Sequence, residues 1–178
     1  MGYTDEFTMP FCLTRNAHNL AVAIKKYAPS FDAIVIRGNS GAIMAGVLAV
    51  KMNRPIIIVR KGESAHGSAV ECPTSMPGEG NDISFAAMPR SYIIVDDGIA
   101  TGATVLAIRH SIEVWVDDLH GYGLHNFKMT CKGVFLYNQT SMGPATPSSM
   151  AVWANTNSWQ TLIVGDGKLL FNPKGESV

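Results

Sequence analysis

The sequence lacks the cysteine spacing of a disulfide framework or of a structural zinc site. It has three cysteines, Cys12, Cys72 and Cys131, which lie far apart and form no C-x-x-C pair. We therefore expect reduced thiols in a cytoplasmic protein. The first residues, with Asp5 and Glu6 and no basic start, are not predicted to form a signal peptide.

The chain of 178 residues also lacks an excess of charge and any apolar run of the length that crosses a bilayer. Lys and Arg together number 14, and so do Asp and Glu, which makes the formal net charge zero. Nucleic acids and membrane surfaces usually attract basic proteins, so neither is a predicted partner. Hydrophobic residues make up 47% of the chain, which is enough for a sizeable core.

Short apolar runs alternate with segments that have the apolar spacing of helices. Runs without internal alternation are typical of strands that are buried on both faces of a parallel sheet. The pattern predicts an α/β fold with a central, mostly parallel sheet flanked by helices. The first helix is expected to begin after Asn16 and to stop before Pro29. The predicted strands are 33–36, 55–59, 92–95 and 134–137, and the predicted helices are 17–27, 42–52 and 103–116.

Two segments lie outside this alternation. Residues 61–90 form a long connection rich in Gly, Ser, Pro and Glu, which predicts a functional lid or a disordered link. The second segment is residues 138–157, which are rich in Ser, Thr, Pro and Asn. Beyond it, residues 161–164 and 168–171 flank a Gly-Asp-Gly sequence, which predicts a hairpin. Trp153 and Trp159 are predicted to pack in a core rather than to stack on a ligand.

The most informative motif follows the third predicted strand. Two adjacent carboxylates, Asp96 and Asp97, end the strand, and a short loop leads into a helix, a position where open α/β sheets bind ligands. The helix N-terminus favours an anion, Gly102 allows close approach of the backbone, and Thr101 and Thr104 add hydroxyl donors. Paired carboxylates suit a sugar diol or a hydrated divalent cation. A ligand with a phosphate near a diol, such as ribose 5-phosphate, satisfies both halves of the motif.

A hydrophobic strand followed by D-D-x-x-x-T-G-x-T resembles the signature of type I phosphoribosyltransferases, and it is complete here at residues 96–104. The resemblance implies that Asp96 and Asp97 bind the ribose hydroxyls and Mg²⁺. It implies that Asp97 lies beneath the ring and stabilises the positive charge of the transition state. The residues implied to hold the 5-phosphate are Ala100, Thr101, Gly102, Ala103 and Thr104.

Two more strand ends resemble the pyrophosphate side of the same family. After the first strand, Arg37 offers a planar donor fork and Gly38 permits an unusual backbone conformation. After the second strand, a basic pair begins the segment in which the family carries its mobile catalytic loop. The residues implied to bind pyrophosphate are Arg37, Gly38, Asn39, Arg60 and Lys61.

The loop sequence RKGESAHG resembles the R-K-x-x-K-x-H-G segment of orotate phosphoribosyltransferases. Arg60, Lys61, His66 and Gly67 match it, whereas Ser64 stands where that pattern has a lysine. Lys61 and His66 are therefore candidate catalytic residues, with His66 as a proton donor or phosphate ligand. An exposed loop histidine without a role in the reaction is the alternative for His66.

The resemblance implies a type I phosphoribosyltransferase fold that is Rossmann-like, with a core over 1–137, a mobile loop at about 61–90 and a small C-terminal hood or extension over 138–178. The implied reaction transfers the phosphoribosyl group of 5-phosphoribosyl 1-diphosphate (PRPP) to a nitrogenous base, with Mg²⁺. A purine is the first choice of base and orotate or another pyrimidine the second. A regulatory protein that senses PRPP or nucleotides without catalysis is the rival hypothesis. Relatives of this kind are commonly homodimers, which the neutral charge permits.

Overall fold

The computed structural model describes residues 9–61, 69–72, 88–139 and 146–174. Helices and strands alternate over most of these ranges. The helices are α1 (Pro10–Tyr27), α2 (Asn39–Met52), α3 (Ala103–Gly121) and α4 (Pro147–Thr156). The strands are β1 (Ala33–Arg37), β2 (Ile56–Val59), β3 (Val70–Glu71), β4 (Ser91–Asp96), β5 (Thr130–Leu136), β6 (Ile163–Gly165) and β7 (Lys168–Phe171).

The strands form one sheet in the order β3-β2-β1-β4-β5-β6-β7. The five strands from β2 to β6 in this order pair in parallel, and the short edge strands β3 and β7 pair antiparallel to their neighbours. In the centre, Val35 lies between Ile57 of β2 and Ile94 of β4. The predicted α/β architecture with a mostly parallel sheet is confirmed.

Two hydrophobic layers cover the two faces of the sheet. Alternate residues of β1 point to opposite faces, with Val35 in the layer that contains α3 and Ile34 in the layer that contains α1 and α2. The helices that follow β1 and β4 therefore leave the same sheet edge toward opposite faces. In open α/β sheets, ligands bind where the connections from neighbouring strands diverge in this way, here beyond the carboxyl ends of β1 and β4.

The boundaries of α1 differ from the sequence prediction at one end. The helix begins at Pro10, so the prediction that Asn16 caps it was wrong. Proline suits the first turn because its φ is already helical and no intrahelical partner is needed for its nitrogen. The predicted stop before Pro29 is confirmed, since the helix ends at Tyr27 and Ala28 leaves the helical region.

The C-terminal segment contributes to the same sheet. The predicted hairpin is confirmed, because β6 and β7 pair antiparallel around Asp166 and Gly167. Through β6, the hairpin joins β5 in parallel. Trp159 is buried, as predicted for a core residue. No helix in the described ranges is both long and apolar enough to span a membrane.

The start of β4 is tied to the residue that precedes β1. Asp32 Oδ2 accepts hydrogen bonds from the amides of Arg90 (2.9 Å) and Ser91 (2.8 Å) and from the Ser91 hydroxyl (2.8 Å). Burial raises the pKa of Asp32, but the hydrogen bonds from Ser91 and Arg90 outweigh it, so that the pKa lies below the usual 3.8.

Replacing Asp32 with Ala is expected to destabilise the protein by about 1–3 kcal/mol, because donors at the β4 terminus lose a charged acceptor. A lowered pKa means that this stabilisation is present above the unfolded pKa and is lost as the pH falls through the folded one. Urea unfolding at several pH values measures it. The difference between wild type and variant should shrink below about pH 4; a constant difference would contradict the assignment.

Candidate functional site

The site is built where β1 and β4 end side by side. Arg37 ends β1 and Asp96 ends β4, and each strand is followed by a turn into a helix. At the start of α2, Gly41 lies against the neighbouring strand: a Cβ there would be 2.8 Å from the Val95 carbonyl oxygen. Glycine thus allows α2 to begin close to the end of β4, which brings the two turns together.

The acid pair is fixed by the backbone around it. Asp96 is 3% exposed, and its Oδ1 accepts the Asp97 amide at 3.0 Å. Asp97 is half-buried, and its Oδ1 accepts the Gly98 amide at 2.8 Å. On the β5 side, the Asn138 amide donates to the Asp97 carbonyl at 2.8 Å. Of the two carboxylates, Asp97 is therefore the more accessible, at a position that its neighbours hold fixed.

The turn after the acid pair presents amides that need an acceptor. Gly102 has φ +77° and directly precedes α3, a conformation that favours glycine. Within the described residues, no protein group accepts the amide hydrogens of Ala100, Thr101, Gly102 and Thr104. Thr101 is exposed, and its hydroxyl accepts only the local Ala103 amide at 3.3 Å. Unpaired amides at the positive end of a helix form an anion site.

Gln139 supports this turn from the end of β5. Its side-chain oxygen accepts the Ile99 amide at 2.7 Å, and its side-chain nitrogen donates to the Ile99 carbonyl at 3.2 Å. Sequence reasoning missed this residue. A usable signal was present, because polar residues follow β5 at the sheet edge where the motif of Asp96 lies.

Trp153 of α4 packs against the same turn. Its indole nitrogen donates to the Thr101 carbonyl at 3.0 Å, and its ring packs against Trp159 with centroids 5.7 Å apart. A Cβ at Gly102 would overlap the indole. Trp153 is half-buried against the core, as predicted, but its contact with the turn was not predicted.

Among the residues predicted to bind pyrophosphate, Gly38 and Lys61 lie close together. Gly38 has φ +83°. A Cβ there would lie 2.6 Å from Lys61 Cε and 2.9 Å from Lys61 Nζ, so the end of the Lys61 side chain packs directly against Gly38. Nε of Arg37 is buried and has no partner among the described residues. The side chains of Arg37 and Lys61 thus offer cationic donors at the end of β1. Asn39 is exposed at the start of α2.

Of the other predicted residues, the structure describes Arg60 but not His66. Arg60 forms an ion pair with Glu71 of the neighbouring strand β3, so its guanidinium already has an anionic partner. His66 lies outside the described residues, as do 62–68 and 73–87 of the predicted loop. In the described ranges, no group of three or more His, Cys, Asp or Glu residues forms a cation cage. Mg²⁺ often uses only one or two carboxylates together with substrate oxygens and water, and Asp96 and Asp97 fit that donor set.

Known proteins share both sequence and fold with this chain, although no family model matches it. It is 27% identical over 125 residues to an orotate phosphoribosyltransferase of Lactiplantibacillus plantarum, covering 68% of this chain and 54% of the relative. It is 27% identical over 96 residues to an adenine phosphoribosyltransferase of Prochlorococcus marinus, covering 52% of this chain and 56% of the relative. The chain thus spans about half the length of these curated relatives.

The fold comparison extends over nearly the whole chain. A crystal structure of adenine phosphoribosyltransferase from Thermoanaerobacter pseudethanolicus matches with a TM-score of 0.56 and 17% identity, covering 95% of this chain and 85% of that one. The resemblance to type I phosphoribosyltransferases is therefore confirmed, and the chain has their Rossmann-like fold.

Proposed function

We propose that the protein transfers the 5-phosphoribosyl group of PRPP to a nitrogenous base and releases pyrophosphate. The observation that carries this proposal is the turn that follows the acid pair, where the amides of Ala100, Thr101, Gly102 and Thr104 are unpaired among the described residues. A phosphate and a sugar diol in one ligand satisfy both features at once. The similarity in sequence to an orotate and an adenine phosphoribosyltransferase supports the same reaction.

In the proposed reaction, the amides of residues 100–104 bind the 5-phosphate, and Asp96 and Asp97 bind the ribose hydroxyls. The bond between C1 of the ribose and pyrophosphate breaks, a bond from C1 to a nitrogen of the base forms, and the proton of that nitrogen is released to water. Asp97 stabilises positive charge that develops on the ring in the transition state, which accelerates the chemical step selectively. Lys61, with Arg37 and the Gly38 backbone, binds the departing pyrophosphate.

Mg²⁺ is proposed as the cofactor. When bound, it would neutralise charge on the pyrophosphate, and Asp96 and Asp97 would be its protein ligands. The two residues are adjacent in the sequence at the carboxyl end of β4. Each could therefore contribute one carboxylate oxygen, and substrate and water would complete the coordination. The cytoplasmic location and the homodimer implied by the resemblance remain predictions.

A pyrophosphate-release assay over a panel of bases tests the function. We expect release with PRPP and a purine, no release after chelation with EDTA, and recovery when Mg²⁺ is added. Release with orotate and not with purines would select the second choice of base. The rival hypothesis, a non-catalytic sensor, is favoured by Ser64 at the position of the loop lysine. Binding of PRPP without turnover on any base would establish the sensor.

Replacing Lys61 with Met is expected to raise KM for PRPP by about 10- to 100-fold, because a charged hydrogen bond to the leaving group is lost. Methionine keeps most of the side-chain length that contacts Gly38. Lys51→Met, at an exposed position near the end of α2, is the matched control and should behave as wild type. Steady-state kinetics measure the effect, and an unchanged KM and kcat would remove Lys61 from the site.

A further inference from the structure

Gln139 is buried, being 4% exposed, at the point where the chain leaves β5. Both polar atoms of its side-chain amide are used on one residue of the opposite loop: Oε1 accepts from Ile99 N, and Nε2 donates to Ile99 O. This pair of hydrogen bonds imitates the pairing between two strands. The amide therefore fixes both the position and the orientation of the Ile99 backbone.

The unpaired amides begin just after this anchor and extend into the first turn of α3. Ile99 is fixed by Gln139 and by burial of its own side chain, and the Leu106 amide donates to the Gly102 carbonyl at 2.9 Å. Few residues separate these two fixed points. The orientation of the intervening amides therefore depends on where Ile99 is held.

We infer that Gln139 is a positioning residue for the phosphate site, acting through Ile99 on the amides of residues 100–104. This inference rests on the proposed function, because it assumes that these amides bind a phosphate ester. Gln139 touches no reacting atom, so its effect falls on binding of the ribose phosphate. Pre-oriented donors bind an anion without first losing conformational freedom.

The surroundings of Gln139 fit this role. A Cβ on Gly165 would lie 3.2 Å from Gln139 Cβ, so the glycine of β6 leaves the space that the side chain occupies. The backbone amide of Gln139 donates to Asp166 Oδ1 at 3.3 Å, which ties the residue to the β6–β7 turn. The hairpin thereby supports the phosphate turn through a chain of contacts that crosses from β6 to Ile99.

Two substitutions separate the hydrogen bonds from the shape of the side chain. Gln139→Met keeps the length but removes both hydrogen bonds, and it should weaken ribose 5-phosphate binding by about 10-fold, measured by calorimetry. Gln139→Glu restores one donor and one acceptor only when the carboxyl is protonated. Burial at this position favours that protonated form. Exposed Gln160→Met is the matched control and should bind as wild type.

The pH dependence of binding by the Gln139→Glu variant distinguishes a loss of hydrogen bonds from a general loss of stability. Relative to wild type at the same pH, its affinity should be near normal at about pH 5 and should fall about 10-fold at about pH 8. Circular dichroism confirms that each variant is folded. Wild-type affinity in folded Gln139→Met, or a pH-independent ratio for Gln139→Glu, would overturn the inference alone. Wild-type protein that does not bind ribose 5-phosphate would reject the proposed function and the inference together.

Discussion

Replacing Asp97 with Asn is expected to lower kcat by about 100- to 1,000-fold, the usual effect of removing one group that stabilises transition-state charge. Asparagine is close in shape, and its oxygen can still accept the Gly98 amide that Asp97 now accepts at 2.8 Å. The substitution therefore removes the negative charge and leaves the turn in place. Because the charge on the ring develops only in the transition state, affinity for ribose 5-phosphate should change by a few-fold at most.

Two measurements on the purified variant test this expectation. Steady-state kinetics give kcat, and calorimetry gives the affinity for ribose 5-phosphate. Asp118→Asn, at an exposed position in the last turns of α3, is the matched control and should leave both values unchanged. Equal losses in kcat and in affinity would show that Asp97 serves binding rather than the transition state.

Replacing Gly102 with Ala is expected to have the largest effect on the phosphate site itself. An L-residue in this left-handed conformation costs about 1–2 kcal/mol, and the new Cβ would overlap the Trp153 indole. Overlap of this kind typically costs a further 1–3 kcal/mol or displaces the backbone. Either outcome moves the amides, so ribose 5-phosphate affinity should fall by about 10- to 100-fold.

Gly123→Ala separates the two contributions. Gly123 also has a positive φ, +94°, but no atom lies within 4 Å of a Cβ built there. This variant should lose stability through backbone strain alone and should bind ribose 5-phosphate as wild type does. Equal affinities of Gly102→Ala and wild type would mean that the turn does not hold the phosphate.

Local patterns in the sequence were sufficient to predict the sheet and the main motif. The apolar runs of β1 and β4 are buried on both faces, so their composition alone indicates a parallel sheet. The acid pair and the glycine turn lie within one short segment between a predicted strand and a predicted helix. That position places them at the carboxyl end of the strand. The placement of Asp97 and Gly102 at the sheet edge follows from these local rules.

Contacts between distant segments were not predictable in the same way. Gln139 lies 40 residues from Ile99, and Trp153 lies 52 residues from Thr101. Each contact depends on the order of strands in the sheet, which a single sequence does not specify. The ion pair between Arg60 and Glu71 likewise depends on pairing of β2 with the short strand β3, which carries no distinct apolar run.

The phosphate ester is proposed to bind the amides that run from Ala100 into the first turn of α3, with the sugar beside Asp97. An NMR titration of isotope-labelled protein with ribose 5-phosphate measures this binding residue by residue. We expect saturable shifts that are largest at the amides of Ala100, Thr101, Gly102 and Thr104. Saturable binding whose largest shifts lie elsewhere, with these amides unchanged, would contradict the proposal.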